Sequence, residues 1–265
     1  MTRRHLTIPC EGDAMAATLD GVCQGAQAAL LIVSGGNEIR SGAWGGQAWL
    51  AARVALAGYP VLRFDRRGVG DSEGGNATYR GAGPDIAAAV AWLRAQAPGA
   101  RILAMGNCDA ASALMLNTGA GADGLILCNP WTIEGEDEDA SQEARAGAQV
   151  ASLRAHYRAR LANPRALLGL LSGKVSLKGL ASSVIAMARR KPAVRHALAD
   201  RMAAGLARFA GPVAILIGGR DRTARVFLEG WDLGDMRIRR CEAAGHSFVE
   251  EREWLVEQVL QGLKG

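Results

Sequence analysis

Residues 106–110 read Gly-Asn-Cys-Asp-Ala, set between the apolar run ILAM and the helix-spaced ASALML. A nucleophile held at the tip of a sharp strand-to-helix turn needs small residues two places to either side. The turn brings two stretches of backbone together and strains the residue at its centre. Gly106 and Ala110 meet that requirement around Cys108. The turn also sets the sulfur above a helix N-terminus, where unpaired N–H groups favour an anion and lower the pKa of a thiol. Composition alone leaves a second reading open, a buried thiol serving as a small hydrophobe. The place of Cys108, at the end of one element and the start of another, favours the nucleophile.

A thiol needs a base. The histidines are His5, His156, His196 and His246, and only His246 follows a glycine in a loop after a short strand-like run, CEAAGHSFVE. Imidazole takes the thiol proton, and the resulting pair is a standing nucleophile near neutral pH. Asp221, just past AILIGG, is placed to orient the ring, although an aspartate there can equally cap a turn beside Arg220 or Arg222. The chain order Cys108, Asp221, His246 is nucleophile, acid, base. Attack on a carbonyl also needs donors for the oxygen that becomes anionic. The backbone N–H of Asp109 is one expected donor, and that of Gly36 or Asn37, after AALLIVSGG, is the other. Trp131, at the end of GLILCNPW, is expected to line the acyl pocket.

These residues need a frame that brings them together. AALLIVSGG, PVLRFDRRG, RILAMG, GLILCNPW and PVAILIGG read as buried strands. GGQAWLAARVALAGY, DIAAAVAWLRAQ, DAASALMLNTG and EEREWLVEQVLQGL read as helices, with apolar residues spaced by three and four. Strands alternating with helices indicate an α/β fold with a doubly wound, mostly parallel sheet, whose ligands sit at the carboxyl ends of the strands. Every candidate site residue falls there. HLTIPC and MAATL add two short alternating runs, and the tryptophans other than Trp131 are expected in the core.

The rhythm stops after Trp131. Residues 132–143 hold six acids, and residues 151–208 hold twelve basic residues against Asp200 alone. The reading is therefore a core of 1–131 and 209–265, interrupted at 132–208 by a helical, basic cap. Charge runs usually mean a solvated face. Contact with an anionic membrane surface or an acidic, acylated substrate is the other expectation for so basic a segment. Nucleic acid is not expected as a partner, because the insert offers one aromatic, Tyr157, for stacking on bases.

The remaining composition bounds the setting. With 265 residues, 49% of them hydrophobic, the chain buries a substantial core. Its five cysteines form no CxxC pair and no metal-ligand spacing, which suits a reducing cytoplasm and implies no metal or cofactor. The start MTRRHLTIPCEG has no apolar signal core, so export is not expected.

With these motifs in place, the chain resembles the α/β-hydrolase superfamily. FDRRGVGDSEG, residues 64–74, is similar to the D-x-R-G-x-G-x-S stretch of that superfamily through Asp65, Arg67, Gly68, Gly70 and Ser72. The resemblance implies that this stretch is chiefly structural. Ser34-Gly35-Gly36 stands where relatives often carry His-Gly-x, and the cysteine nucleophile is similar to that of dienelactone hydrolase. GNCDAAS, SGGNEIRSG and GGRDRTA together resemble the exosortase A system-associated hydrolases, bacterial proteins encoded beside exopolysaccharide and protein-sorting machinery.

The expected activity is hydrolysis of an ester or thioester through an acyl-thioester on Cys108. The same intermediate passed to an amine or alcohol makes an acyltransferase. From another class, a binding or scaffold protein on a hydrolase frame would retain the fold without the chemistry. The presence of all three triad members argues against it.

Overall fold

The computed structural model describes residues 2–133 and 196–265. The expected cap, with His156, Tyr157 and most of the charged runs, lies outside the described residues. Two compact units divide the chain, Met1–Thr132 with Ala199–Gly265, and Ile133–Leu198.

In the first unit β1 (Arg3–Cys10) and β2 (Asp13–Asp20) form an antiparallel hairpin, and β2 pairs antiparallel with β4 (Val61–Phe64). The strands β3 (Ala28–Val33), β5 (Arg101–Asn107), β6 (Gly124–Cys128), β7 (Val213–Gly218) and β8 (Ile238–Cys241) run parallel to β4. Among the described residues the sheet order is β1-β2-β4-β3-β5-β6-β7-β8. Every position of β3, β4 and β6 is buried, as parallel strands covered on both faces require. β8 is different: Arg239 and Arg240 are exposed on a short strand that ends the sheet, a charged edge that discourages pairing with another chain.

Helices α1 (Gly46–Leu56) and α6 (Arg252–Lys264) share one apolar cluster with Leu30, Ile32, Met105 and Ile126. Arg53 and Arg252 both lie over the Trp49 ring, and Arg53 pairs with Glu253 at 2.8 Å, which ties the two helices together. Alternate strand residues such as Leu31, Ala104 and Leu127 point to the opposite face. There α2 (Gly83–Gln96) and α3 (Asp109–Leu116) pack through Ile86, Leu93, Leu114 and Met115. Among the described helices none is long and apolar enough to cross a membrane.

The D-x-R-G-x-G-x-S stretch works as a structural knot. Asp65, with no exposed surface, pairs with Arg40 and accepts the Asp71 amide at 3.2 Å. Ser72 Oγ donates to the Asp65 carbonyl at 2.7 Å and accepts from the Ala16 amide at 2.8 Å. Arg67 holds Asp85 of α2 at 2.7 Å.

Two expectations are corrected. Trp44, expected in the core, is 93% exposed, because the backbone turns through φ 56° there just before α1 begins. Trp49, Trp92, Trp231 and Trp254 are half-buried. Second, the insert does not extend to residue 208. Helix α4 (His196–Ala207) buries Ala199, Met202 and Leu206. Gly205 lies so near Met115 that a Cβ there would meet its carbonyl oxygen at 2.1 Å. From Ala199 onward the helix therefore docks on α3, because its apolar residues recur on one face.

Candidate active site

Strand register sets the level of the site. Val33 is opposite Gly106, Asn107 opposite Cys128, Cys128 opposite Leu216, and Gly218 opposite Cys241. The loops that follow these strands therefore open along one edge. That edge collects Gly36, Cys108, Asp221 and His246 from widely separated parts of the chain.

Cys108 stands between β5 and α3 at φ 59°, ψ −125°, a conformation that L-residues rarely adopt. Such strain costs roughly 1–3 kcal/mol and must be held by its surroundings. The Cys108 amide donates to the Cys128 carbonyl at 2.9 Å, and its carbonyl accepts from the Trp131 amide at 3.2 Å. Ser112 Oγ braces the same turn, donating to the Trp131 carbonyl at 2.6 Å. A Cβ on Gly106 would lie 2.7 Å from the Ala110 carbonyl carbon, so the requirement for small residues read from the sequence has a steric cause here. The cysteine itself is partly exposed, and all five cysteines are free. Cys128, fully buried, has its thiol pKa pushed up by desolvation and offers no nucleophile.

His246 joins the other two members. Its Nδ1 lies 3.0 Å from Asp221 Oδ1. The hydrogen bond to Asp221 and a second one to Cys108 push the imidazole up to about 10, against the downward pull of burial. Asp221, 6% exposed, is also the N-cap of α5 (Arg222–Glu229), a helix not expected from the sequence. It accepts the amides of Thr223 at 3.3 Å and Ala224 at 3.0 Å. The two roles weighed for Asp221, capping and orienting, are thus carried by one carboxylate.

Sequence reasoning missed the residues that hold the histidine loop. Asn129, fully buried at φ 43°, donates to the His246 carbonyl at 3.0 Å and accepts the Gly218 amide at 2.8 Å. Asn107 donates to the same His246 carbonyl at 3.2 Å. Each asparagine immediately follows a strand's last apolar residues, but nothing in local spacing names the partner, which lies over a hundred residues away.

The expected oxyanion donors are arranged differently from expectation. The Gly36 amide donates to Asp109 Oδ1 at 2.7 Å. Burial pushes the Asp109 carboxyl above its ordinary range, opposed first by the Gly36 amide and then by the charge of Arg66. Arg66, 4% exposed, donates to the Gly36 carbonyl. A Cβ on Gly35 would meet Asp109 Oδ1 at 2.6 Å, so the glycine allows the loop to approach this closely. The Asn37 side chain accepts from Asn76 at 2.9 Å.

A cavity of about 70 Å³ is lined by the chain neighbours of Cys108 and His246 rather than by those residues themselves. Its wall includes Gly106 and Asn107, just before Cys108, and Ser247, just after His246. Ile32, Leu50 and Phe248 make its apolar side. Trp131, expected in the acyl pocket, is not among the residues lining this cavity; its backbone braces Cys108 instead. Among the described residues no group of three or more His, Cys, Asp or Glu side chains is placed to hold a metal ion.

The geometry can be set beside known proteins. The model of the alpha/beta hydrolase family matches residues 30–258. An esterase of Pyrococcus furiosus superposes with a TM-score of 0.61 at 17% identity, over 99% of this chain and 90% of its own. An a/b serine hydrolase without lid from Xanthomonas campestris gives 0.59 at 13% identity, over 100% and 94%. The thioesterase domain of the curacin biosynthetic pathway gives 0.57 at 14%, over 98% and 100%. No curated protein matches the chain in sequence.

Proposed function

The chain belongs to the alpha/beta hydrolase family, and we propose that it hydrolyses an ester or thioester through a Cys108–His246–Asp221 triad. The carrying observation is that His246 Nδ1 lies 3.0 Å from Asp221 Oδ1 at the same sheet edge where Cys108 is held in a strained strand-to-helix turn at φ 59°. The Cys108 sulfur attacks the acyl carbon, and the carbonyl oxygen takes the negative charge. The bond to the leaving oxygen or sulfur breaks as His246 supplies the proton.

Acylation then changes the base. Part of the upward push on His246 comes from its hydrogen bond to Cys108 and from the Cys108 charge. Both vanish once the sulfur carries an acyl group, so the imidazole pKa falls and the ring can take a proton from water. That water adds to the thioester carbon, the C–S bond breaks, and the thiol is restored. Asp221 holds the ring tautomer throughout.

The neighbouring esterase and thioesterase structures support an acyl substrate, and the GNCDAAS, SGGNEIRSG and GGRDRTA stretches support a place among the exosortase A system-associated hydrolases. Mixing the protein with p-nitrophenyl acetate and weighing it intact tests the shared step. An acetyl group on Cys108, absent in Cys108→Ala, is the expected result. Release of nitrophenol from Cys108→Ala at the native rate would overturn the assignment.

A further inference from the structure

In the described structure one of the groups expected to receive an acyl oxyanion, the Gly36 amide, already holds a carboxylate. Asp109, the residue after the proposed nucleophile, turns its side chain back onto that amide at 2.7 Å. An oxyanion needs the same donor, and two anions cannot share it. Beside this cluster the Arg66 guanidinium is 4% exposed and bonded to the Gly36 carbonyl. A guanidinium has five N–H donors, and its charge already acts on Asp109. Among the described residues it is the cation whose charge acts on Asp109, and so a partner for a carboxylate that leaves the Gly36 amide.

We propose that Asp109 is a positioning residue whose carboxylate occupies the oxyanion site in the resting protein and withdraws toward Arg66 when a substrate carbonyl enters. The inference rests on Cys108 being the nucleophile, and it adds a step that the triad alone does not require. Acylation includes an exchange of one anion for another at the Gly36 amide. Gly35 makes this arrangement accessible, because any side chain there would collide with Asp109 Oδ1.

The test compares acylation with alkylation. Acylation by p-nitrophenyl acetate passes through an oxyanion, whereas alkylation of Cys108 by iodoacetamide does not. In Asp109→Ala the burst of nitrophenol should quicken by roughly ten- to a hundredfold, the scale set by releasing hydrogen bonds to a charged group. Asp109→Asn leaves a neutral acceptor of the same shape, so it should fall between. The ratio of burst rate to alkylation rate carries the effect, since loss of a carboxylate one residue from the sulfur also acts on the thiol and alkylation reads that part alone. A burst in both variants as slow as native or slower, with alkylation intact, overturns this inference while leaving the nucleophile in place. No acylation of native or variant protein, with alkylation intact, removes the nucleophile reading and the inference with it.

Discussion

Asp221 serves two elements with one carboxylate: Oδ1 lies 3.0 Å from His246 Nδ1, while the group caps α5 through the amides of Thr223 and Ala224. The fold and the proposed chemistry are therefore coupled at this residue, and substitutions can separate them. Asp221→Asn keeps a good cap but loses the charge beside the ring, so stability should fall only by what that charge contributes through His246, while turnover falls by up to about four orders of magnitude. Asp221→Ala should cost a further ~0.5–2 kcal/mol of stability through the lost cap. Denaturant unfolding and burst kinetics on the two variants read the two effects apart.

His246 should hold its proton well above neutrality. Its pKa is raised in the fold to about 10 from the ordinary 6.5, through Asp221 first and Cys108 second. A raised pKa means that the charged form is favoured by folding. The stability it contributes is complete below about pH 6.5 and is lost as pH rises through about 10. Ring-proton NMR of the native protein should therefore show no titration of His246 between pH 6 and 8. In Cys108→Ala the midpoint should move down. A native midpoint near 6.5 would contradict the coupled geometry.

Asn129 should matter to turnover more than its distance from the sulfur suggests. It joins the His246 carbonyl to the Gly218 amide, and so sets the histidine loop against β7, the strand that leads to Asp221. Asn129→Ala leaves the buried Gly218 amide unpaired, a loss of ~1–3 kcal/mol. The expected signature is a fall in kcat exceeding any rise in KM, with the His246 midpoint shifted. An unchanged kcat in a destabilised variant would make Asn129 a structural residue alone.

A proposed acyl group that enters the cavity walled by Asn107, Ser247, Ile32, Leu50 and Phe248 meets a small apolar space of about 70 Å³. Esters with short acyl chains should then give the highest kcat/KM. A series of p-nitrophenyl esters from acetate to octanoate checks it, and a preference rising steadily with chain length would place the acyl group elsewhere.

Residues close in sequence told most of the story where the physics is local. The elbow around Cys108 was legible because a tight turn demands small residues at fixed offsets, and Gly106 with Ala110 supplied them. The buried strands were legible because a parallel strand covered on both faces must be apolar throughout, as β3 and β6 are. The succession Cys108, Asp221, His246, each after a parallel strand, already implied one shared edge. Helix α5 was not legible, since its start is signalled by the same aspartate that the triad order claimed.

The remaining relationships belong to the folded chain. The Gly36 amide meets Asp109 across 73 positions, and Asn129 meets His246 across 117. Side chains alone specify which groups can bond, but sheet register decides which of them stand opposite one another. That is why the amino-acid order could nominate Gly36 as a donor for a substrate oxygen, and only the tertiary arrangement could show Asp109 already bonded to it. Trp44 follows the same rule in reverse: its type suits a core, and a left-handed turn before α1 sets it outside.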